Sequence, residues 1–235
     1  MAALSPSTLL LMWERGMCEV PVKRPVTALA VARPEQDPEE LGRLSVGRCD
    51  GELLSLREET FGSRVEAVVD CASCGELLEL SLDTGTLEQG SLDATGTHSV
   101  SCESGEVRFR LPTRDDLAAV ATMRSLTAVG DALLEACVAD PPPQELSAAA
   151  RRAVTERMAE LDPLAVVELA LECPACGAAS RAIFDIGAFV CAELEAAART
   201  TLEEVHVLAS AYGWREADVL DLSPARRRLY LELVG

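Results

Sequence analysis

Along the first sixty positions apolar residues recur at helical rather than strand spacing, and proline or glycine interrupts them at short intervals. The run Leu9-Leu-Leu-Met-Trp13 predicts a helix over 8–15, capped by Ser7 and ended by Gly16. Val22, Val26, Leu29 and Ala30 predict a second over 21–32, stopped by Pro34. The acidic loop Pro34-Glu-Gln-Asp-Pro38 leads into a short helix over 39–44. Asp50 is then expected to cap a helix over 52–61, which Gly62 terminates. At that point the period changes. Arg64-Val-Glu-Ala-Val-Val-Asp70 and Glu76-Leu-Leu-Glu-Leu-Ser-Leu82 read as strands on either side of Cys71-Ala-Ser-Cys74-Gly75.

Residues 83–104 are rich in Gly, Ser, Thr and Asp, with turn signals at Thr95-Gly96 and Ser104-Gly105, and predict a loop or irregular hairpin. Val107-Arg-Phe-Arg-Leu111 alternates as a strand. Pro112-Thr113 opens a helix whose first turn carries Asp115 and Asp116, where carboxylates complement the helix dipole. Another helix is expected over 126–138. Asp140-Pro-Pro-Pro143 breaks the chain, and Ser147 caps a helix ending near Asp162-Pro163. Val166-Val-Glu-Leu-Ala-Leu-Glu172 and Arg181-Ala-Ile-Phe184 then flank Cys173-Pro-Ala-Cys176-Gly177, repeating the strand–cysteine pair–strand layout. A long helix over 187–212 closed by Gly213, a short one over 215–220, and one opened by Ser223-Pro224 and running to Leu233 complete the chain.

The two cysteine pairs carry the chemistry. Each is a knuckle that offers two thiolates to one metal ion, and the glycine after the second cysteine lets the chain turn back while backbone amides face the sulfurs. Cys71, Cys74, Cys173 and Cys176 together supply a four-cysteine tetrahedral site, for which zinc is the expected ion, one per chain. Residues 75–172 separate the two halves, so such an ion would clamp distant parts of the chain. A structural zinc site contributes on the order of 10 kcal/mol of folding free energy, comparable with the stability of a whole domain. Two matching knuckles point to metal much more specifically than one, and neither looks like the strand-to-helix start of a thioredoxin-like redox motif.

The expected fold is therefore α+β, mostly helical, with a small antiparallel zinc-ribbon sheet assembled from two distant CxxC knuckles. Its expected organisation is an N-terminal helical segment at 1–62, a split zinc-ribbon region at 63–185 with helices inserted at about 113–162, and a C-terminal helical hairpin or bundle at 186–235. With 235 residues, 49% of them hydrophobic but only 3% aromatic, the core must be built from Leu, Val and Ala.

Charge narrows the function classes. The net charge of −18 opposes sequence-independent binding to nucleic acid and to anionic membranes. No apolar stretch is long enough to span a bilayer, and the start lacks the basic region of a signal peptide. Nine cysteines without an export signal suggest a reducing, cytoplasmic setting, with Cys18, Cys49, Cys102, Cys137 and Cys191 mostly serving as small apolar residues. The only histidines are His98 and His206, and no phosphate-binding glycine loop is present, so no catalytic set or small-molecule substrate is expected. Trp214 and the basic run Arg226-Arg227-Arg228 are candidate partner contacts. The competing reading of these tail helices is a zinc-ribbon/helix-turn-helix DNA-binding or transcription-associated regulator, for which three arginines are a small footprint.

The runs Phe109-Arg-Leu-Pro-Thr-Arg-Asp-Asp-Leu117 and Ala132-Leu-Leu-Glu-Ala-Cys-Val138, then Leu171-Glu-Cys-Pro-Ala-Cys-Gly177 with Phe184-Asp-Ile186 and Phe189, resemble the T4-like bacteriophage baseplate protein family, including relatives from phage-tail-like contractile injection systems. The tail agrees: Glu204-Val-His-Val-Leu-Ala-Ser-Ala-Tyr-Gly-Trp214, then Asp218, Leu220, Leu222-Ser-Pro224 and Arg226-Arg-Arg-Leu-Tyr-Leu231. The resemblance implies a non-enzymatic baseplate hub component or assembly factor, with other baseplate or tail proteins as partners, in the cytoplasm of the producing cell or in the assembled particle. Ala178-Ala179 and Glu195-Ala-Ala-Ala198 are small where the family often carries an aromatic residue, so partner contacts there are expected to differ.

Overall fold

The structure is a computed structural model that describes residues 4–87, 96–103 and 105–234. Four helices come first: α1 (Pro6–Met17), α2 (Arg24–Ala32), α3 (Pro38–Gly42) and α4 (Val46–Phe61). The hairpin of β1 (Arg64–Asp70) and β2 (Leu77–Asp83) follows. Next come β3 (Thr97–Cys102), β4 (Gly105–Arg110), α5 (Arg114–Val120), α6 (Leu126–Cys137), β5 (Val138–Asp140) and α7 (Ala148–Leu161). A second hairpin, β6 (Val167–Glu172) with β7 (Ala179–Phe184), leads into α8 (Ile186–Tyr212), α9 (Glu216–Leu220) and α10 (Pro224–Val234). The chain is thus mostly helical, and its described residues form three small antiparallel sheets, two of two strands and one of three in the order β3-β4-β5. The expected inserted helices correspond to α5, α6 and α7.

Side-chain caps fix most helix starts. Ser125, Ser147 and Asp185 accept backbone N–H groups at the starts of α6, α7 and α8. Thr113 and Asp116 form a reciprocal capping box on α5. Two starts differ from expectation. Ser5 rather than Ser7 caps α1, because Pro6 with its fixed φ takes the first helical position. Ser45 rather than Asp50 caps α4, and Asp50 lies a full turn inside, buried against Arg114. The predicted 21–32 helix begins as a 3-10 turn at Pro21–Lys23. Of the stretch read as a loop or irregular hairpin, 97–102 forms β3, paired to β4 from Thr97↔Arg110 to Cys102↔Gly105. Residues 88–95 and 104 of that stretch lie outside the described residues.

The largest core joins α1, α2 and α4 to the first half of α8: Leu10, Met12, Leu29, Leu53 and Leu54 pack with Ile186, Val190, Leu194 and Ala198. It draws on both the N-terminal and C-terminal segments defined from sequence. A second core, Val107, Phe109, Val138, Ala150 and Val154, sits between the three-stranded sheet and α7. A third, Val205, Leu208 and Val219 with Trp214 and Tyr230, closes the far end of α8. Among the described residues no helix is long and apolar enough to cross a membrane.

Candidate metal centre

The two knuckles have the same backbone geometry. In the first, Cys71 N–H donates to Glu76 C=O at 2.8 Å and Gly75 N–H to Cys71 C=O at 2.9 Å. In the second, Cys173 N–H donates to Ala178 C=O at 3.0 Å and Gly177 N–H to Cys173 C=O at 2.8 Å. Gly75 and Gly177 hold φ of 75° and 69°, left-handed values that side chains adopt only with strain. The sequence signal of a glycine after each second cysteine thus has its cause in this turn.

The turns bring all four sulfurs together. Cys71 Sγ lies 3.8 Å from Cys176 Sγ and Cys74 Sγ 3.7 Å from Cys173 Sγ, and the four lie within 4.8 Å of one another. A disulfide would need about 2.0 Å. Four thiolates around one tetrahedral ion with metal–sulfur bonds of about 2.3 Å sit about 3.8 Å apart, so the cluster has the size and donor set to hold a metal ion. Cys71 and Cys173 are buried, against Leu78, Val69 and Leu171, while Cys74 and Cys176 are exposed. The site therefore has one apolar wall and one open to water.

Electrostatics within the cluster favour a cation. The Cys74 and Ser73 backbone N–H groups face Cys71 Sγ and hold that thiol down at about 6. Cys74 receives the Glu76 N–H, but sharing protons with the Cys176 and Cys71 sulfurs pushes it up to about 12. Cys176 accepts from the Ala178 N–H and is eased by Cys74, yet the Cys173 and Cys71 sulfurs and desolvation raise it on balance. One thiolate forms readily and resists the next, and a bound metal ion removes that resistance.

A single helix positions both knuckles, a feature the sequence pattern did not mark. At the end of α4, buried Arg57 holds Glu193 of α8 through Nε at 2.6 Å and Nη2 at 3.0 Å, and donates to the Gly62 carbonyl and, at 2.9 Å, to the Arg64 carbonyl where β1 begins. Its guanidinium also lies 5.7 Å from the centre of the Phe189 ring. At the start of α4, Gly47 N–H donates to Asp162 Oδ2 at 2.9 Å, and a Cβ on Gly47 would meet the Ala165 nitrogen at 2.6 Å. That close approach seats the segment leading into β6. Burial raises the Asp162 carboxyl against these hydrogen bonds. Beside it, Asp50 pairs with Arg114, which packs on Gly187. Burial pushes Asp50 up to about 6 despite Arg114.

The other candidates lie elsewhere. Among the described residues the four cysteines are the one group with metal-holding geometry, so His98 and Cys102 do not join them. The His98 ring lies tilted beside Phe109 with centroids 5.9 Å apart, and His206 is exposed on α8. Cys49 and Cys137 are buried thiols, raised by burial to about 12 and about 11. Trp214 stacks on Tyr212 at 4.7 Å and meets Tyr230 edge-on at 4.9 Å. Arg227 is buried with its Nε on Glu204 at 2.5 Å, which leaves Arg226 and Arg228 exposed. Comparison of the chain with protein-family models, with curated proteins and with solved structures gave no match.

Proposed function

We propose that this chain is a non-enzymatic assembly protein whose two hairpins are closed by one structural zinc ion into a split zinc ribbon, and that it serves as a baseplate hub component or baseplate assembly factor of a phage tail or contractile injection system. The observation that carries the zinc reading is the convergence of Cys71, Cys74, Cys173 and Cys176 from sites far apart in the chain to tetrahedral spacing. Zinc suits an all-thiolate tetrahedral shell, and four protein donors leave no position open for a substrate. The ion's contribution is a crosslink. Everything else is done by the chain: Arg57 and Asp162 aim the hairpins, and the knuckle amides stabilise the thiolates.

The baseplate assignment is supported by the resemblance of the 109–138, 171–189 and 204–231 segments and by an acidic surface suited to protein partners. The DNA-binding reading loses one of its three arginines, since Arg227 is committed to Glu204. Deletion of the gene in the producing cell tests the assignment. The expected result is sheath and tube material without finished baseplates by electron microscopy, restored by the native chain and not by Cys74→Ser. Unchanged particle number and morphology overturns it.

A further inference from the structure

The hydrogen-bond parity of the first hairpin leaves one edge of β1 open. Thr84 N–H donates to Ser63 C=O at 3.0 Å and Cys71 N–H to Glu76 C=O at 2.8 Å, so the odd-numbered residues between them turn toward β2 and the even-numbered ones turn away. Arg64 C=O, turned away, is the group Arg57 takes. The N–H and C=O groups of Glu66, Val68 and Asp70 have no backbone partner among the described residues, because β1 pairs with β2 alone.

The side chains on that same outward face give the edge its chemistry. Glu66, Val68 and Asp70 of β1 and Leu77, Glu79 and Asp83 of β2 are exposed, Val68 at 59% and Leu77 at 65%. Arg64 is the one cation of the face, and it pairs with Glu66 at 3.3 Å. A second copy of the hairpin would bring the same carboxylates against these and be repelled. A strand with cations opposite Glu66 and Asp70 and an aliphatic side chain opposite Val68 satisfies the backbone, the charge and the exposed apolar surface together. The corresponding outward face of β6 and β7 offers Glu168 and Glu172 with Arg181, a weaker field.

We infer that the open edge of β1 is a strand-addition site for an extended basic segment of a partner protein, in which Lys or Arg alternates about an aliphatic residue. This names the partner chemistry of the assembly role and rests on that reading. Because Arg57 and the cysteine cluster hold β1 at both ends, the edge is formed before the partner arrives, which lowers the ordering cost of binding.

The probe is a capped nonapeptide, Thr-Thr-Lys-Thr-Val-Thr-Lys-Thr-Thr, titrated into the zinc-loaded full chain and followed by amide chemical shifts. The largest shifts are expected at Glu66, Val68 and Asp70. Binding is expected to weaken at least tenfold when both lysines become glutamate, when the valine is N-methylated, and when the chain carries Glu66→Lys with Asp70→Lys. These two exposed sites lie outside the metal cluster, and retained zinc content shows that the variant is folded. Equal binding by the acidic or N-methylated peptide, shifts confined to another surface, or no binding to zinc-loaded protein overturns the inference. A native chain that folds without zinc instead overturns the zinc reading itself.

Discussion

Replacing Arg57 by Met removes the guanidinium while retaining most of the buried stem. Its side chain is 3% exposed and donates four hydrogen bonds, two to the Glu193 carboxylate and one each to the Gly62 and Arg64 carbonyls. Breaking a buried pair by removing one partner costs about 3–5 kcal/mol. Glu193 is 29% exposed and regains some water, which lowers the figure, whereas the two carbonyls lose a charged donor, which raises it. About 4 kcal/mol covers both. At about 2–4 °C per kcal/mol for a chain of this size, Tm should fall by about 8–16 °C in calorimetry of the zinc-loaded protein. Since Arg57 also fixes the entry to β1, a competing chelator should withdraw metal from Arg57→Met faster than from the native chain. In the Glu193→Gln background the same substitution should cost at least about 1 kcal/mol less. A Tm within about 2 °C of native, or an undiminished cost in the Glu193→Gln background, would refute the clamp.

Gly47→Ala places a Cβ 2.4 Å from Asp162 Oδ1 and 2.6 Å from the Ala165 nitrogen; backbone cannot yield cheaply, so about 3 kcal/mol of stability should be lost in denaturant titrations. Gly177→Ala forces a side chain onto φ of 69° and should cost about 1 kcal/mol, read as roughly fivefold weaker zinc binding in chelator competition. Asp116 is held below the usual carboxylate range by Arg110 and the Thr113 amide. Its folded pKa lies below the unfolded one, so its stabilisation is complete above about pH 4 and disappears as pH falls through the folded value. The stability deficit of Asp116→Asn should therefore be present at pH 7 and shrink towards pH 2.5; a deficit that is constant with pH contradicts the ion pair.

What was legible in the sequence is what depends on nearby residues. The knuckles, the glycines that turn them, the Asp140-Pro-Pro-Pro143 break and the Ser147 and Gly213 helix ends are local signals, and each stands where its local chemistry places it. Asp50 shows the limit. An aspartate ahead of an apolar-periodic run reads as a cap, yet a long-range guanidinium, Arg114, draws it inside the helix. Arg57 looks like any solvated helix arginine until Glu193 of α8 and the Gly62 and Arg64 carbonyls surround it. β3 was legible only as part of a loop or irregular hairpin, because His98, Ser99 and Ser101 lack the apolar alternation of a strand and pairing with β4 supplies what propensity does not. The four-cysteine cluster was legible as composition, but its closure depends on how α4 seats both hairpins.

Elemental mass spectrometry of the purified native chain and of Cys74→Ser decides whether one metal ion joins the two hairpins. One zinc per native chain is expected, and in the variant loss of both the metal and the cooperative fold. A native chain that folds cooperatively without metal, in medium replete with zinc, would contradict this expectation.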